Sequence, residues 1–509
     1  MTEAEAAGRE HGTVARNAFY LVLGQATTTA LAIVFSAALG RTLGVRDFGV
    51  YFLIASFSTF AYVLVDWGQQ FYVIREVARA PERGSELLGT ALVLRTVGAA
   101  LVAIPSGLVA WALGYDASTC WYSVAFIAVS LPFFLAQSYG MVSRGRDRMG
   151  LDAAVSVVNK IALLALALAL LALGTRLPGV LVAQALAGFL ALALATRLYR
   201  RVATGPLRYS PRAAREILAG GGALFIMIAA SNVQPYIDVV ILSKLAPADA
   251  VGWYGAAKNI LGTMLAPAAL LSAASFPRLT RAAAASRDSF RTEARAALRP
   301  ILWLGTLAAI GTFLFADDAI SIVYGQRHFG PSGMILKVYA PGFFLLFIDV
   351  LLGHALLALG RSTALSVAKV ASLVVSTALE VMLIPIFQQR TGNGGIGVVA
   401  AFVASEVVVF GGAIFLLPRG CLGFGVGIDV ARALGSAALT LLLFRWMPRL
   451  PFLLALFICV VGFLFFSLAL GLIRRTDAQL FRALLRTGQS AAPPYSAAMK
   501  RSSERIPVE

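Results

Sequence analysis

Ten ionisable side chains fall inside long apolar runs of this 509-residue sequence: Asp66, Arg95, Lys160, Asp238, Lys258, Lys337, Asp349, Lys369, Glu380 and Glu406. A carboxylate in such a place can hold a proton or a cation. An ammonium or guanidinium can hold an anion, Lys as a point charge and Arg as a two-pronged donor. Each charge costs at least about 2.5–3.5 kcal/mol at a bilayer centre unless it faces a wet cavity or a partner, which excludes lipid-facing placement for most of them. None belongs to a catalytic pattern. There are three histidines (His11, His328, His354), with no HExxH, no GxSxG and no phosphate-binding GxxxxGK[ST]. The pair Asp317-Asp318 reads as the solvated start of a loop or, less favoured, as a catalytic carboxylate pair, and Cys120, Cys421 and Cys459 lack metal-ligand spacing and read as packing residues. No catalytic residue, metal site or soluble catalytic domain is expected.

The elements that position these groups are membrane helices. The chain is 59% hydrophobic and 13% charged, against about a quarter charged in soluble proteins. Runs of about 20 apolar residues, the length that crosses a hydrocarbon core of about 30 Å, follow one another almost end to end. Unbroken Ala and Leu, as in Ile161–Leu173, exclude the alternation of a β-barrel. The expected fold is an all-α polytopic membrane protein of about 14 transmembrane helices: two parallel six-helix repeats around a central cavity, then two C-terminal helices. The expected organisation is a cytoplasmic N-terminal segment (1–16), a first half (17–200), a cytoplasmic linker (201–216), a second half (217–418), two accessory helices (428–473) and a basic, partly disordered tail (474–509). A short ninth span is expected near Ile301–Phe315, after a polar loop over 277–300.

Arginine gives the orientation. With the N-terminus inside, cytoplasmic segments collect Arg75, Arg79 and Arg83, then Arg144, Arg146 and Arg148, then the run from Arg200 to Arg215, then that from Arg278 to Arg299, and finally the tail. Opposite segments are poor in charge, so both termini are expected in the cytoplasm. The net charge of +18 lies beside span ends, where anionic headgroups attract it, and does not argue for nucleic acid.

The two halves show internal likeness. RTLGVRDFGVY, from Arg41 to Tyr51, aligns without gaps on KLAPADAVGWY, from Lys244 to Tyr254, about 203 residues later, and at the same offset Arg75 falls on Arg278. Gly145-Arg146 and the run to Lys160 similarly match Gly360-Arg361 and the run to Lys369. Repeats with an even number of crossings share one orientation, which places a transport path between them. Lys160 and Lys369 would then form a cationic floor, or snorkel to the nearby interface. Asp238 follows Asn232 and Gln234 on one face of a span loosened by Pro235, as a gate or lumen lining, or as a link to Lys258. Glu380 and Glu406 lie where an ion-coupling carboxylate is expected, with pairing to Lys369 as the alternative.

Three stretches resemble a known family, the bacterial polysaccharide-repeat-unit flippases, the polysaccharide transporter branch of the multidrug/oligosaccharidyl-lipid/polysaccharide exporter superfamily. They are ALGRTLGVRDFGVY (Ala38 to Tyr51), Asp66-Trp-Gly68 through Arg75-Glu-Val-Ala-Arg79, and Asp238 through Gly252-Trp-Tyr254-Gly-Ala-Ala-Lys258 to Phe276-Pro277-Arg278-Leu. The resemblance implies alternating-access flipping of an undecaprenyl-diphosphate-linked oligosaccharide repeat unit across the bacterial inner membrane, for O-antigen, capsule or exopolysaccharide assembly. It implies a cationic lumen, carried here by Arg95, Lys160, Lys258 and Lys369. Coupling to protons or sodium ions would fall to Asp66, Asp238, Glu380 or Glu406. No cofactor is implied. The implied partners are the lipid-linked oligosaccharide, membrane lipids, and a polysaccharide polymerase with its chain-length machinery. The alternatives are a cation-coupled multidrug or peptidoglycan-precursor exporter of the same superfamily and, less favoured for want of a large outward loop, a membrane polymerase or ligase.

Overall fold

The computed structural model describes residues 3–201, 205–232, 234–418, 420–421, 424–448 and 450–473. Arg449, part of the expected linker and the basic tail after residue 473 lie outside the described residues. Helices account for nearly all the rest: α1 (Glu3–Asp66), α2 (Gln69–Arg79), α3 (Gly84–Ala112), α4 (Ala117–Gly145), α5 (Met149–Ala172), α6 (Arg176–Tyr199), α7 (Pro211–Asn232), α8 (Gln234–Leu245) and α9 (Ala248–Met264), then α10 (Ala266–Ala285), α11 (Arg287–Val323), α12 (Gln326–Phe329), α13 (Pro331–Ala358), α14 (Ser362–Thr391), α15 (Gly395–Leu416), α16 (Phe424–Trp446) and α17 (Phe452–Ala469). The protein is an all-α, multi-pass membrane protein.

Twelve of these stretches are long and apolar enough to cross a membrane. The first, Leu23–Asp66, has 44 residues, about 66 Å of helix at 1.5 Å per residue, twice a hydrocarbon core. It is broken at Gly44 (φ 78°, ψ 173°), a conformation glycine adopts without a Cβ clash. The turn expected between the first two spans thus contracts to a kink inside one continuous run. The expected seventh span contains Val233, which lies outside the described residues, and neither flanking helix, α7 or α8, is among the twelve. Helix length and composition therefore do not confirm the number fourteen.

Two expectations need correction. The polar loop over 277–300 is helical except at Ser286, and the short ninth span is part of the 37-residue α11, with Pro300 inside it. Ala and Arg dominate this stretch and favour helix without burial. Ser286 caps α11 by accepting the Ser289 N–H at 3.0 Å, with Asp288 in the first turn. The N-terminal polar segment is likewise already helical from Glu3. Charge clusters mark where the membrane ends, and helices need not end there.

The sequence repeat meets itself at one end of the bundle. A Cβ on Gly49 would overlap the carbonyl oxygen of Ala248, and one on Gly252 would overlap that of Val45. The contact is reciprocal at the repeat offset, as a twofold axis along the bundle would produce. Around it, Phe48 packs on Tyr324 and Phe329, Asn259 donates to Ser36 at 2.8 Å, Arg41 donates to Val323 O at 2.9 Å, and Trp253 donates to His328 O at 2.9 Å. Towards the other end, α7 docks on the first half: Arg83 binds Glu216 at 2.7 Å, Thr90 Oγ1 accepts the Ser210 N–H at 3.1 Å, and Gly68 and Gly221 touch backbone to backbone. The C-terminal α16 and α17 pack on α11 around Phe315, Cys459 and Phe463. Asp429 of α16, buried, faces Arg299 at 3.1 Å and Arg295 at 3.8 Å.

Candidate functional site

In the first half two of the buried acidic groups, Asp66 and Asp152, are ion-paired. Arg95 of α3 is 1% exposed. Its guanidinium binds Asp66 of α1, donates to Phe134 O and Ser138 Oγ of α4, both at 3.1 Å, and lies 4.1 Å from the centre of the Phe134 ring. Three helices are tied together by one side chain, because a buried guanidinium offers more donors than one helix can satisfy. Asp152 of α5 is bound by Arg144 at 2.7 Å. Lys160, half-buried in α5, makes no ion pair or hydrogen bond among the described residues.

Beside the Asp66–Arg95 pair lies a cavity of about 400 Å³ between α1, α4, α6 and the start of α2, with Phe225 of α7 at its edge. Its polar lining is Ser58, Thr59, Tyr62, Ser130 and the amides of Gln70, Gln137 and Gln184. Asp66 is its single ionisable residue among those described. The Phe225 ring is set by the first half: Trp67 stacks on it at 4.5 Å and donates its indole N–H to Leu218 O at 3.1 Å.

The second half is different. Asp238 of α8 accepts from Tyr254 Oη of α9 at 3.2 Å, Lys258 Nζ donates to the same Tyr254 Oη at 3.0 Å, and Lys258 stands 3.8 Å from Asp238. Glu380 of α14, wholly buried, accepts the Ser376 hydroxyl at 3.1 Å on one oxygen, while no N–H or O–H donor among the described residues reaches its Oε2. Its carboxyl approaches that of Asp238. A second cluster follows: Lys369 of α14 is ion-paired to Asp349 of α13, with Glu406 of α15 close to both and its Oε2 without a donor among the described residues. Tyr339 of α13 lies near Tyr254, Asp238, Glu380 and Glu406, between the two clusters.

Of the eight expected site residues, Asp66 and Arg95 form one pair, Asp238, Lys258 and Glu380 a second group, and Lys369 and Glu406 a third. Lys160 joins none of them among the described residues. Each second-half cluster holds two carboxyl groups and one ammonium, so the expected cationic lumen is there compensated by acid. Sequence reasoning passed over Tyr254, although its spacing of four from Lys258 puts both on one helical face. It also passed over Gln137 and Gln184, uncharged amides in apolar runs. Tyr339 carried no signal.

Residues 14–283, more than half of the chain, match the family described as polysaccharide biosynthesis protein. A putative O-antigen transporter of Shigella flexneri is 24% identical over 380 residues, 72% of this chain and 90% of that protein. A probable low-salt glycan biosynthesis flippase of Haloferax volcanii is 22% identical over 383 residues, 74% of this chain and 76% of that protein. Among solved structures, the lipid II flippase MurJ in an inward closed conformation superposes with a TM-score of 0.69 at 13% identity, covering 91% of this chain and 99% of that one. An inward-facing multidrug resistance MATE family transporter of the MOP superfamily gives 0.63 at 15% identity, covering 77% and 93%. The relatives are named as transporters and flippases, and the solved structures share the all-α polytopic fold. The chain belongs to the polysaccharide biosynthesis protein family and has the fold of the MurJ and MATE transporters.

Proposed function

We propose that this protein moves undecaprenyl-diphosphate-linked oligosaccharide repeat units from the cytoplasmic to the outer leaflet of the inner membrane, with both termini in the cytoplasm, as a transporter and not an enzyme. The observation that carries the reading is the pairing of a family match over 14–283 with two buried clusters in which ammonium groups are held among carboxyls. The diphosphate needs cations. Lys258, Lys369 and Lys160, which has no partner among the described residues, are the proposed contacts, and Arg95 supports them by holding Asp66. The surplus carboxyls, Asp238 with Glu380 and Asp349 with Glu406, are the proposed place for a driving proton or sodium ion. A carboxyl oxygen with no donor is complete only when a proton or cation arrives. The six-plus-six-plus-two organisation supplies the moving parts, with the Gly49–Gly252 contact as the closed end.

The test is accumulation. Deleting the gene should trap lipid-linked repeat units in the inner leaflet and abolish surface polysaccharide, and normal polysaccharide in the deletant overturns the reading. Replacing Lys160 and Lys369 together by Ala, at equal expression, asks whether these two ammonium groups carry the diphosphate. Unchanged export rejects that assignment.

A further inference from the structure

We propose that the cavity of the first half is a subsite for an uncharged sugar ring of the lipid-linked glycan, with Gln137 of α4 and Gln184 of α6 as its polar readers and Phe71 and Phe133 as its apolar walls. This rests on the transport reading above and adds where the carbohydrate goes. The cavity, at about 400 Å³, falls in the range of about 300–1,000 Å³ typical of small-molecule sites. Its chemistry excludes the other ligand classes that a membrane exporter carries. A diphosphate needs a free cation, and the lining has none among the described residues. A cationic drug needs a free carboxylate, and the single one, Asp66, is bound by Arg95.

What remains free in the lining is neutral. Tyr62 already donates to Ile127 O at 2.5 Å and Thr59 to Ala55 O at 2.8 Å. Gln70, Gln137 and Gln184 have no hydrogen-bond partner among the described residues, and Gln137 is exposed to the cavity. The Ser130 hydroxyl is buried and also lacks a partner there. An amide offers two donors and an acceptor, which suits a ring of hydroxyls or an acetamido group. Phe134 is covered by Arg95 and Tyr62, whereas Phe71 and Phe133 carry no ring partner among the described residues and line the same space. A pyranose presents C–H faces to such rings and hydroxyls to such amides. Uncommitted amides in apolar spans are otherwise costly, since nothing in hydrocarbon satisfies them.

The experiment uses the full chain in nanodiscs. Binding is measured for undecaprenyl diphosphate, bare and carrying glucose, galactose or N-acetylglucosamine, to the wild type and to Gln137→Met/Gln184→Met. The wild type is expected to favour at least one glycosylated lipid by about tenfold, with about threefold lost per amide removed, while affinity for the bare lipid stays unchanged. Should the double variant unfold, Gln184→Asn and Phe71→Leu read the same preference. A wild type indifferent to all three sugars, or folded variants that keep the preference, overturns the subsite and leaves the transport reading standing. Failure to bind either the bare or the glycosylated lipids overturns both.

Discussion

The two regions share a sequence motif and meet at Gly49 and Gly252, yet their ion-paired charges are arranged differently. In the first half, one guanidinium meets one carboxylate and two further acceptors, and the cavity beside it is neutral. In the second half, each of two ammonium groups stands among two carboxyls, and two carboxyl oxygens have no donor among the described residues. The Asp66–Arg95 pair stiffens the bundle, although Arg95 Nε has no partner among the described residues, because losing either partner strands the other in a low dielectric. An unsatisfied cluster has more than one arrangement of similar energy, which moving parts and ion binding require. Support and neutral contacts thus lie beside Asp66 and Arg95, and most of the closely spaced carboxyls lie in the two clusters of α8, α9, α13, α14 and α15.

The largest test of that contrast is Asp66→Asn. It leaves Arg95 buried without its carboxylate and should cost about 3 kcal/mol, the low end for a broken buried pair because Asp66 also reaches the cavity. Thermal unfolding of the purified protein should show it, and adding Arg95→Met should recover much of the loss. An unchanged transition in the single variant would remove the distinction between the halves. Next, Gly252→Ala forces a methyl into the Val45 carbonyl and should destabilise the closed contact by about 2 kcal/mol, as overpacking does. A cysteine placed at Val45 should then react faster with a polar thiol reagent in the variant than in the parent.

Third, Lys258→Met should leave the unfolding transition within a few degrees of wild type and lower glycan export about tenfold, equivalent to about 1.4 kcal/mol. The opposite pattern, lost fold with normal export per folded molecule, would make this cluster as structural as the Asp66–Arg95 pair. The smallest effect is expected outside the membrane, where Glu216 precedes the apolar part of α7. Hydrogen bonds from Arg83 first and Arg212 second hold its carboxyl below the usual Glu range. Its contribution is present at neutral pH and is lost as pH falls through the depressed value. Between about pH 7 and about pH 3, the stabilities of wild type and Glu216→Gln should therefore converge.

Much of this was legible in the residues. Apolar runs located the spans, and the ten buried ionisable groups contained every charged member of the three clusters. The ALGRTLGVRDFGVY stretch pointed to the family. The failures have identifiable causes. The loop over 277–300 was inferred from its arginines, but Ala and Arg are helix formers and Ser286 supplies a cap. Between the first two apolar runs, Gly44 turns the chain by its φ alone, without ending the helix run. Gln137 and Gln184 were passed over because uncharged amides were weighed only beside a buried charge, as Asn232 and Gln234 beside Asp238, although any amide in hydrocarbon demands a partner.

By itself the sequence determined the solvent in which the chain folds, the approximate positions of its helices, the arginine-bearing end and the duplicated motif, since length, hydropathy and local periodicity encode all of these. Only the tertiary structure decided that Arg95 closes on Asp66 and Lys369 on Asp349, that Asp238 faces Glu380, and that three amides and two open phenylalanine rings share one cavity. Helices of nearly uniform apolar composition gain little from hydropathy by choosing one neighbour over another. In a membrane the choice falls to close packing at small residues such as Gly49, Gly68, Gly221 and Gly252, and to polar groups seeking partners, both set by contacts far apart in the chain.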